Sequence, residues 1–241
     1  MSNFGDKLEK ISEVYDPSSE ENDFDAAFKI YHSEIIMNNL HGNNILELGC
    51  STGYSTHLLD NGENNIDVVE GSLNNINISK DNFAYKNVNF IHSLWENYEF
   101  NKIYSDILLV DTIQMLQEKD VILNKVKQAM DSSSRFHIIS PNNQSFHRLL
   151  GLEMNLINNL EDQSERDKTV SAKQDLDWDK FRKLLTDNGF NILKEEGILF
   201  KLFDNKKMSS LDSNMVSALF KLGNKFKENA AHMYICCELE N

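Results

Sequence analysis

The segment Glu47-Leu48-Gly49-Cys50-Ser51-Thr52-Gly53 joins a short apolar run, Ile45-Leu46-Glu47-Leu48, to a stretch of helical character that begins at Tyr54. Small residues in a turn between strand and helix let a ligand approach bare backbone, and the start of a helix offers N–H groups that have no partner within it. A second apolar run, Ile66-Asp67-Val68-Val69-Glu70, ends on an acid seventeen residues after Gly53. A carboxylate there accepts hydrogen bonds from both hydroxyls of a ribose, as in other nucleoside-binding βαβ units. Either feature alone reads as a tight turn or a surface acid. Together, at this spacing, they predict a nucleoside site.

The same turn narrows the choice of nucleoside. A dinucleotide fingerprint needs Gly-x-Gly-x-x-Gly, but Ser51 and Tyr54 stand where the second and third glycines belong. A phosphate loop needs a Lys after its last glycine, and Tyr54 follows Gly53. Glu47, just ahead of the turn, repels a pyrophosphate and attracts an ammonium or a sulfonium, directly or through water. A nucleoside that carries both cations is S-adenosylmethionine.

These residues need a scaffold, and the pattern around them supplies one. Phe28, Tyr31, Ile35, Ile36 and Leu40 have helical spacing, which predicts a helix over 25–40 ended by Gly42. Five short apolar runs, at 45–48, 66–70, 88–91, 106–110 and 136–139, alternate with helical stretches such as Tyr54–Leu59 and 121–130. That alternation predicts a parallel sheet covered on both faces. Residues 142–176 break the rhythm. They begin Asn142-Asn143 after Pro141, contain an apolar segment at 149–160 and continue through a polar stretch at 161–174. We read them as a lid-like insertion after the fifth strand. A helix over 178–188 capped by Gly189, one strand or a bent pair within 190–203, a helix over 214–225 and a last strand, His232–Leu239, complete the chain. Residues 1–24 are polar and acidic and read as an arm, leaving 25–241 as a single domain; no internal repeat is visible.

The bulk properties bound the function. With 241 residues, 40% of them hydrophobic, the chain can bury a real core. A net charge of -14 argues against a general nucleic-acid binder, because phosphate backbones demand clustered Lys and Arg. A local cluster can still oppose that average and hold an anionic substrate. The three cysteines are Cys50, Cys236 and Cys237; the adjacent two would point to opposite faces of a strand, which disfavours a disulfide between them. No Cys-x-x-Cys or His-Glu-x-x-His occurs, so no metal site is expected. No apolar run approaches the ~18 residues of a membrane span, and residues 1–10 lack the apolar core of a signal peptide. The expectation is a cytoplasmic protein that handles small molecules.

Several motifs resemble the class I S-adenosylmethionine-dependent methyltransferases. Glu47-x-Gly49-x-Ser51-x-Gly53 is similar to their first motif, and Glu70 to their ribose-binding acid. His92-Ser93-Leu94-Trp95-Glu96 resembles the loop that borders the adenine, and Asp111 and Thr112 fall where the fourth strand opens onto the methyl donor. The resemblance covers most of residues 30–205. It implies a doubly wound α/β, Rossmann-like fold: a mostly parallel seven-stranded sheet with an antiparallel last strand. It also implies a donor site at Glu47, Gly49, Cys50, Ser51, Gly53, Glu70, Gly71, Ser93, Leu94, Asp111 and Thr112. The run Ser140-Pro141-Asn142-Asn143-Gln144-Ser145-Phe146-His147-Arg148-Leu149-Leu150-Gly151, with Ser164-Glu165-Arg166-Asp167, resembles a bacterial subgroup associated with capsule, O-antigen and other surface glycans. That likeness implies a small sugar or nucleotide-linked acceptor; a homo-oligomer and a hetero-complex both stay open.

The chain also departs from those relatives. Where they carry His-x-x-Glu-His after the fourth strand, it reads Asp111-Thr112-Ile113-Gln114-Met115, and Lys168-Thr169-Val170-Ser171-Ala172-Lys173 lacks their Gly-His pair. A hydroxyl acceptor usually wants a base. His147, near the open end of the fifth strand, and Asp111 are the candidates, against packing and pocket-shaping roles. An oxygen that is already anionic, as in a nucleotide-linked phosphoramidate, needs no strong base. Arg148, Arg166, Lys168 and Lys173 offer cations to a phosphate, although Glu161, Asp162 and Glu165 make a solvated mixed-charge loop the plainer reading. Tyr15 and Tyr31 are candidates to close over the donor, and Trp95 to stack near adenine, each weighed against the core. Two rival functions remain: a nucleic-acid methyltransferase, disfavoured by charge and by the absence of Pro-Pro-Tyr after the fourth strand, and a non-catalytic partner of an active homologue.

Overall fold

A computed structural model describes residues 8, 9, 11, 23–164, 167, 168 and 172–240. Most of the arm, with Tyr15, and Glu165 and Arg166 of the insertion lie outside the described residues. The strands are β1 (Asn44–Leu48), β2 (Asn65–Glu70), β3 (Val88–His92), β4 (Asp106–Val110), β5 (Arg135–Pro141), β6 (Phe190–Ile198) and β7 (His232–Leu239). They form one sheet in the order β3-β2-β1-β4-β5-β7-β6. β1 runs parallel to both β2 and β4, and β2 parallel to β3, while β6 and β7 are antiparallel. This is the mostly parallel, doubly wound α/β sheet that the strand–helix alternation predicts. Among the described residues no helix is long and apolar enough to cross a membrane.

The chain divides into two compact units. The first takes in residues up to Val110 together with Glu118–His137. Its helices are α1 (Asp23–Met37), α2 (Tyr54–Leu59), α3 (Leu73–Asn82) and α4 (Lys119–Gln128). Ile45, Leu46 and Leu48 of β1, Val68 and Val69 of β2 and Ile107, Leu108 and Leu109 of β4 are fully buried. Burial of consecutive residues means that both faces of these strands are covered. Each such side chain contributes roughly 1.5–3 kcal/mol of transfer free energy, which fixes the register and so the place where each strand ends. At the opposite end of the strands Asp106 accepts from the backbone N–H groups of His41 (2.8 Å) and Gly42 (2.9 Å) and pairs with His137 Nε2 at 2.9 Å. Gly42 therefore belongs to this anchor rather than to a helix cap, and α1 stops earlier, at Met37.

The second unit comprises Asp111–Gln117 and Ile138–Glu240. Its helices are α5 (Phe146–Glu153), α6 (Trp178–Asp187), α7 (Asn205–Met208) and α8 (Ser213–Lys225), of which α6 and α8 pack on β6. The 190–203 region resolves into one strand, β6, whose pairing with β7 shifts register between Ile192 and Lys194. Of the apolar segment at 149–160, only the first part is helical, in Phe146–Glu153, and Met154 and Leu156 beyond it are exposed. The N–H of Asn142, just past β5, donates to the carbonyl of Ala231, just before β7, at 2.9 Å. The start of β7 thus lies beside the end of β5.

Candidate active site

The first unit holds a compact acidic turn. β1 delivers Glu47, and the chain then passes through Gly49 (φ 83°), Ser51 (φ 51°) and Gly53 (φ 82°), three left-handed residues, before α2 begins at Tyr54. Glycine suits such angles, and at Gly53 it is also required by space, since a Cβ would run into the hydroxyls of Ser79 and Tyr85. Gly49 N–H continues the β1–β2 ladder by donating to Val69 O at 2.9 Å, and Gly53 N–H closes the turn on Cys50 O at 3.0 Å.

Glu70, the last residue of β2, reaches back into this turn. Its Oε2 accepts from the N–H groups of Cys50 (3.0 Å) and Ser51 (3.1 Å), and its Oε1 accepts from Ser72 N–H at 2.9 Å. The carboxylate is 4% exposed. Burial raises its pKa, against the lowering effect of the hydrogen bonds from Ser72, Ser51, Asn75 and Cys50. The residue that the sequence assigns to ribose therefore also organises the turn. Glu47 is buried too, and its Oε2 accepts from Thr56 Oγ1 at 2.7 Å. Burial pushes its pKa up to about 7, despite the Thr56 hydrogen bond and the charge of Lys29. Cys50 lies with its sulfur 3.8 Å from Glu70 Oε2, and burial beside the two acids keeps it a thiol.

The loops after β2 and β3 meet at the same edge. Ser93 N–H donates to Glu70 O at 3.0 Å, Ser93 Oγ to Leu94 O at 2.9 Å, and His92 Nε2 lies 3.2 Å from Gly71 O. Trp95 is core: it is buried, with Nε1 donating to Val69 O at 3.1 Å. Glu47, Gly49, Cys50, Ser51, Gly53, Glu70, Gly71, Ser93 and Leu94 are thus brought together where β1, β2 and β3 end. Open α/β sheets bind ligands at that edge. One participant had no sequence signal: Glu9, from the polar arm, accepts from Ser72 Oγ (2.7 Å), Leu73 N–H (2.7 Å) and Asn74 N–H (3.1 Å), which caps the start of α3.

The second unit carries the remaining predicted residues. Asp111 follows β4 directly and takes a left-handed φ of 51°, uncommon for a residue with a Cβ. Its N–H donates to Ile139 O at 3.0 Å, and its Oδ1 lies 3.6 Å from Nδ1 of His232, the first residue of β7. Thr112 precedes a 3-10 turn, Ile113–Met115, and Gln114 Nε2 donates to Asp111 O at 2.9 Å. The insertion returns to these loops: Lys173 N–H donates to Gln114 O at 2.9 Å, Asn143 N–H to Leu176 O at 3.0 Å and Asn143 Nδ2 to Gln174 O at 3.2 Å.

His147 sits on α5 with Nδ1 buried and without a hydrogen-bond partner. Burial, then the charges of Lys201, Arg148 and His232, hold its pKa well below the ordinary imidazole range. It is neutral at physiological pH and a weak base. Arg148 is committed to the insertion itself, donating from Nη2 to the carbonyls of Leu160 (3.0 Å) and Asp162 (2.5 Å). Lys201 follows Leu199, another left-handed residue (φ 63°), and donates to Asn205 Oδ1 at 2.5 Å. Neither His232 nor Lys201 stands out in the sequence. Their one signal is position: Lys201 lies just past the end of β6, and His232 opens β7.

The class follows from comparison with known proteins. A family model described as a methyltransferase domain matches residues 40–189. The chain belongs to that family, and it is an S-adenosylmethionine-dependent methyltransferase. No curated protein matches it. Solved structures share its fold at low identity. A methyltransferase from Thermotoga maritima, described as a possible histamine N-methyltransferase, is 15% identical with a TM-score of 0.66, covering 96% of this chain and 99% of its own. A methyltransferase from Mesorhizobium loti is 11% identical with a TM-score of 0.63, covering 89% and 99%. The magnesium protoporphyrin IX methyltransferase of Synechocystis, solved with bound S-adenosylhomocysteine, is 11% identical with a TM-score of 0.60, covering 98% and 94%.

Proposed function

We propose that this enzyme transfers the methyl group of S-adenosylmethionine to an oxygen of a small sugar or nucleotide-linked metabolite used in capsule or surface-glycan assembly. The observation that carries the donor half is the buried Glu70 carboxylate, gathered with the Gly49–Gly53 turn at the end of β2. Its lone pairs suit ribose hydroxyls, and Glu47 places negative charge on the side of a sulfonium and an ammonium. Gly71, Ser93 and Leu94 border the adenine, and Asp111 and Thr112 follow the strand that faces the methyl.

The acceptor half rests on the likeness of residues 140–151 to surface-glycan enzymes and on the character of the second unit. The insertion ties itself to the loops after β4 and β5, where an acceptor is received in an open α/β sheet. The imidazoles of His147 and His232 and the Lys201 ammonium give that unit groups able to hold polar oxygen. Methyl transfer is an in-line displacement in which alignment supplies much of the rate.

A transfer assay tests this reading. Methyl-labelled S-adenosylmethionine is offered with cytidine, uridine and guanosine diphosphate sugars, a cytidine-linked phosphoramidate, free sugars, RNA and DNA. Label is expected in a sugar or nucleotide-linked oxygen and in neither nucleic acid. Label in a polynucleotide, or only on nitrogen, would overturn the assignment.

A further inference from the structure

We propose that the amino-terminal arm is part of the donor site: Leu8 packs, beside Leu94, on the adenine of S-adenosylmethionine, and Glu9 positions that wall by capping α3. The inference rests on the assignment of Glu70, Gly71 and Leu94 to the donor, and it adds two residues of a polar arm that carries no motif. All of these residues belong to the first unit.

Leu8 reaches the loop that follows β2. A Cβ on Gly71 would stand 2.6 Å from Leu8 Cδ1 and 2.9 Å from Leu94 Cδ2. The two leucines therefore close over bare backbone. Two apolar side chains beside a residue that has none form a shelf suited to the flat face of a purine. Leu8 is only partly buried, so its side chain still has surface to lose when a base arrives, and that burial favours binding.

Glu9 holds Leu8 at this loop. Helix α3 starts from Ser72 as its N-cap and has no acid in its first turn, although the first N–H groups of a helix need partners from outside it. Ser72 Oγ accepts from Asn75 N–H at 3.0 Å. Glu9 accepts from Leu73 N–H (2.7 Å), Asn74 N–H (3.1 Å) and the Ser72 hydroxyl (2.7 Å). The helix dipole favours a carboxylate at that end. Ser72 is fully buried, and its own N–H donates to Glu70 Oε1 at 2.9 Å. One serine thus joins the arm to the carboxylate assigned to ribose. Coupling of this kind is reciprocal: what arm docking adds to donor affinity, the donor adds to arm docking. A cap that served α3 alone would stabilise the fold and leave donor affinity where it was.

Two measurements on the full chain test the arm. The first is calorimetric titration with S-adenosylhomocysteine and with methylthioadenosine, which keeps the adenosine and lacks the amino-acid end. Leu8→Ala should weaken both complexes about 5- to 30-fold. Glu9→Ala should weaken both about 2- to 30-fold, and Glu9→Gln, which keeps an acceptor oxygen, should recover part of that loss. The second is hydrogen exchange at the amides of Leu8 and Glu9, which should slow when S-adenosylhomocysteine binds the wild type. Unchanged affinity in Leu8→Ala, or a loss for S-adenosylhomocysteine without one for methylthioadenosine, would overturn the proposal. Tighter binding in Leu8→Ala would overturn it too, since the side chain would then stand in the place of the base. So would a Glu9→Ala variant that loses stability but no affinity, or arm amides that exchange equally fast with and without ligand. A wild-type chain that binds neither probe would remove the donor assignment at Glu70 and this inference with it, whereas wild-type binding with unaffected variants removes this inference alone.

Discussion

On the proposed donor side two buried carboxylates sit in different surroundings. Glu70 is encircled by backbone N–H donors, whereas Glu47 has the Thr56 hydroxyl and is held near a pKa of about 7 against an ordinary 4.5. A carboxyl raised on folding contributes stability that is fully present below the unfolded value and lost as pH rises through the folded one. A shift of this size amounts to roughly 3 kcal/mol. The donor-free protein should therefore lose unfolding free energy as pH rises from about 5 to about 8, and Glu47→Gln should flatten that fall in urea titrations. A bound sulfonium or ammonium favours the ionised form. Donor binding near pH 6 should then expel a proton, read by calorimetry in buffers of different ionisation enthalpy. Equal proton release in wild type and Glu47→Gln would remove Glu47 from the donor site.

At the scale of elements, the turn between β1 and α2 is where local sequence and tertiary packing constrain the same residue. Gly53 combines a φ of 82° with a Cβ direction blocked by Ser79 and Tyr85. Gly53→Ala should destabilise the protein by about 1–3 kcal/mol, visible as an earlier denaturation midpoint, and weaken donor binding; an unchanged midpoint would contradict the assigned geometry. This turn was legible in the sequence because everything that shapes it lies between two buried apolar strands. So were β1, β2 and β4, whose burial makes them continuous apolar runs. Helix α3 was not legible: Leu73-Asn74-Asn75-Ile76-Asn77-Ile78-Ser79 has few apolar positions and many residues that compete with the helix for backbone hydrogen bonds. It forms because Ser72 and Glu9 cap its start and because it packs on β2 and β3. The apolar segment at 149–160 carried no reading of its own, and Met154 and Leu156 in it face solvent. His232 was invisible because its pairing with Asp111 is made by the reversal of β7 and leaves no local pattern.

At the scale of the whole molecule, an acidic chain of net charge -14 carries a turn built on carboxylates in one unit, and the Lys201 ammonium near a neutral His147 in the other. That contrast suits a cationic nucleoside donor and a small polar acceptor better than a polyanion. The central claim is that Glu70 and the turn before α2 bind S-adenosylmethionine, and calorimetric titration tests it most directly. S-adenosylmethionine and S-adenosylhomocysteine should both bind the wild-type chain, and Glu70→Ala should lose roughly 1–3 kcal/mol of that affinity. Unchanged affinity in Glu70→Ala, or binding of a nicotinamide dinucleotide in place of the methyl donor, would contradict it.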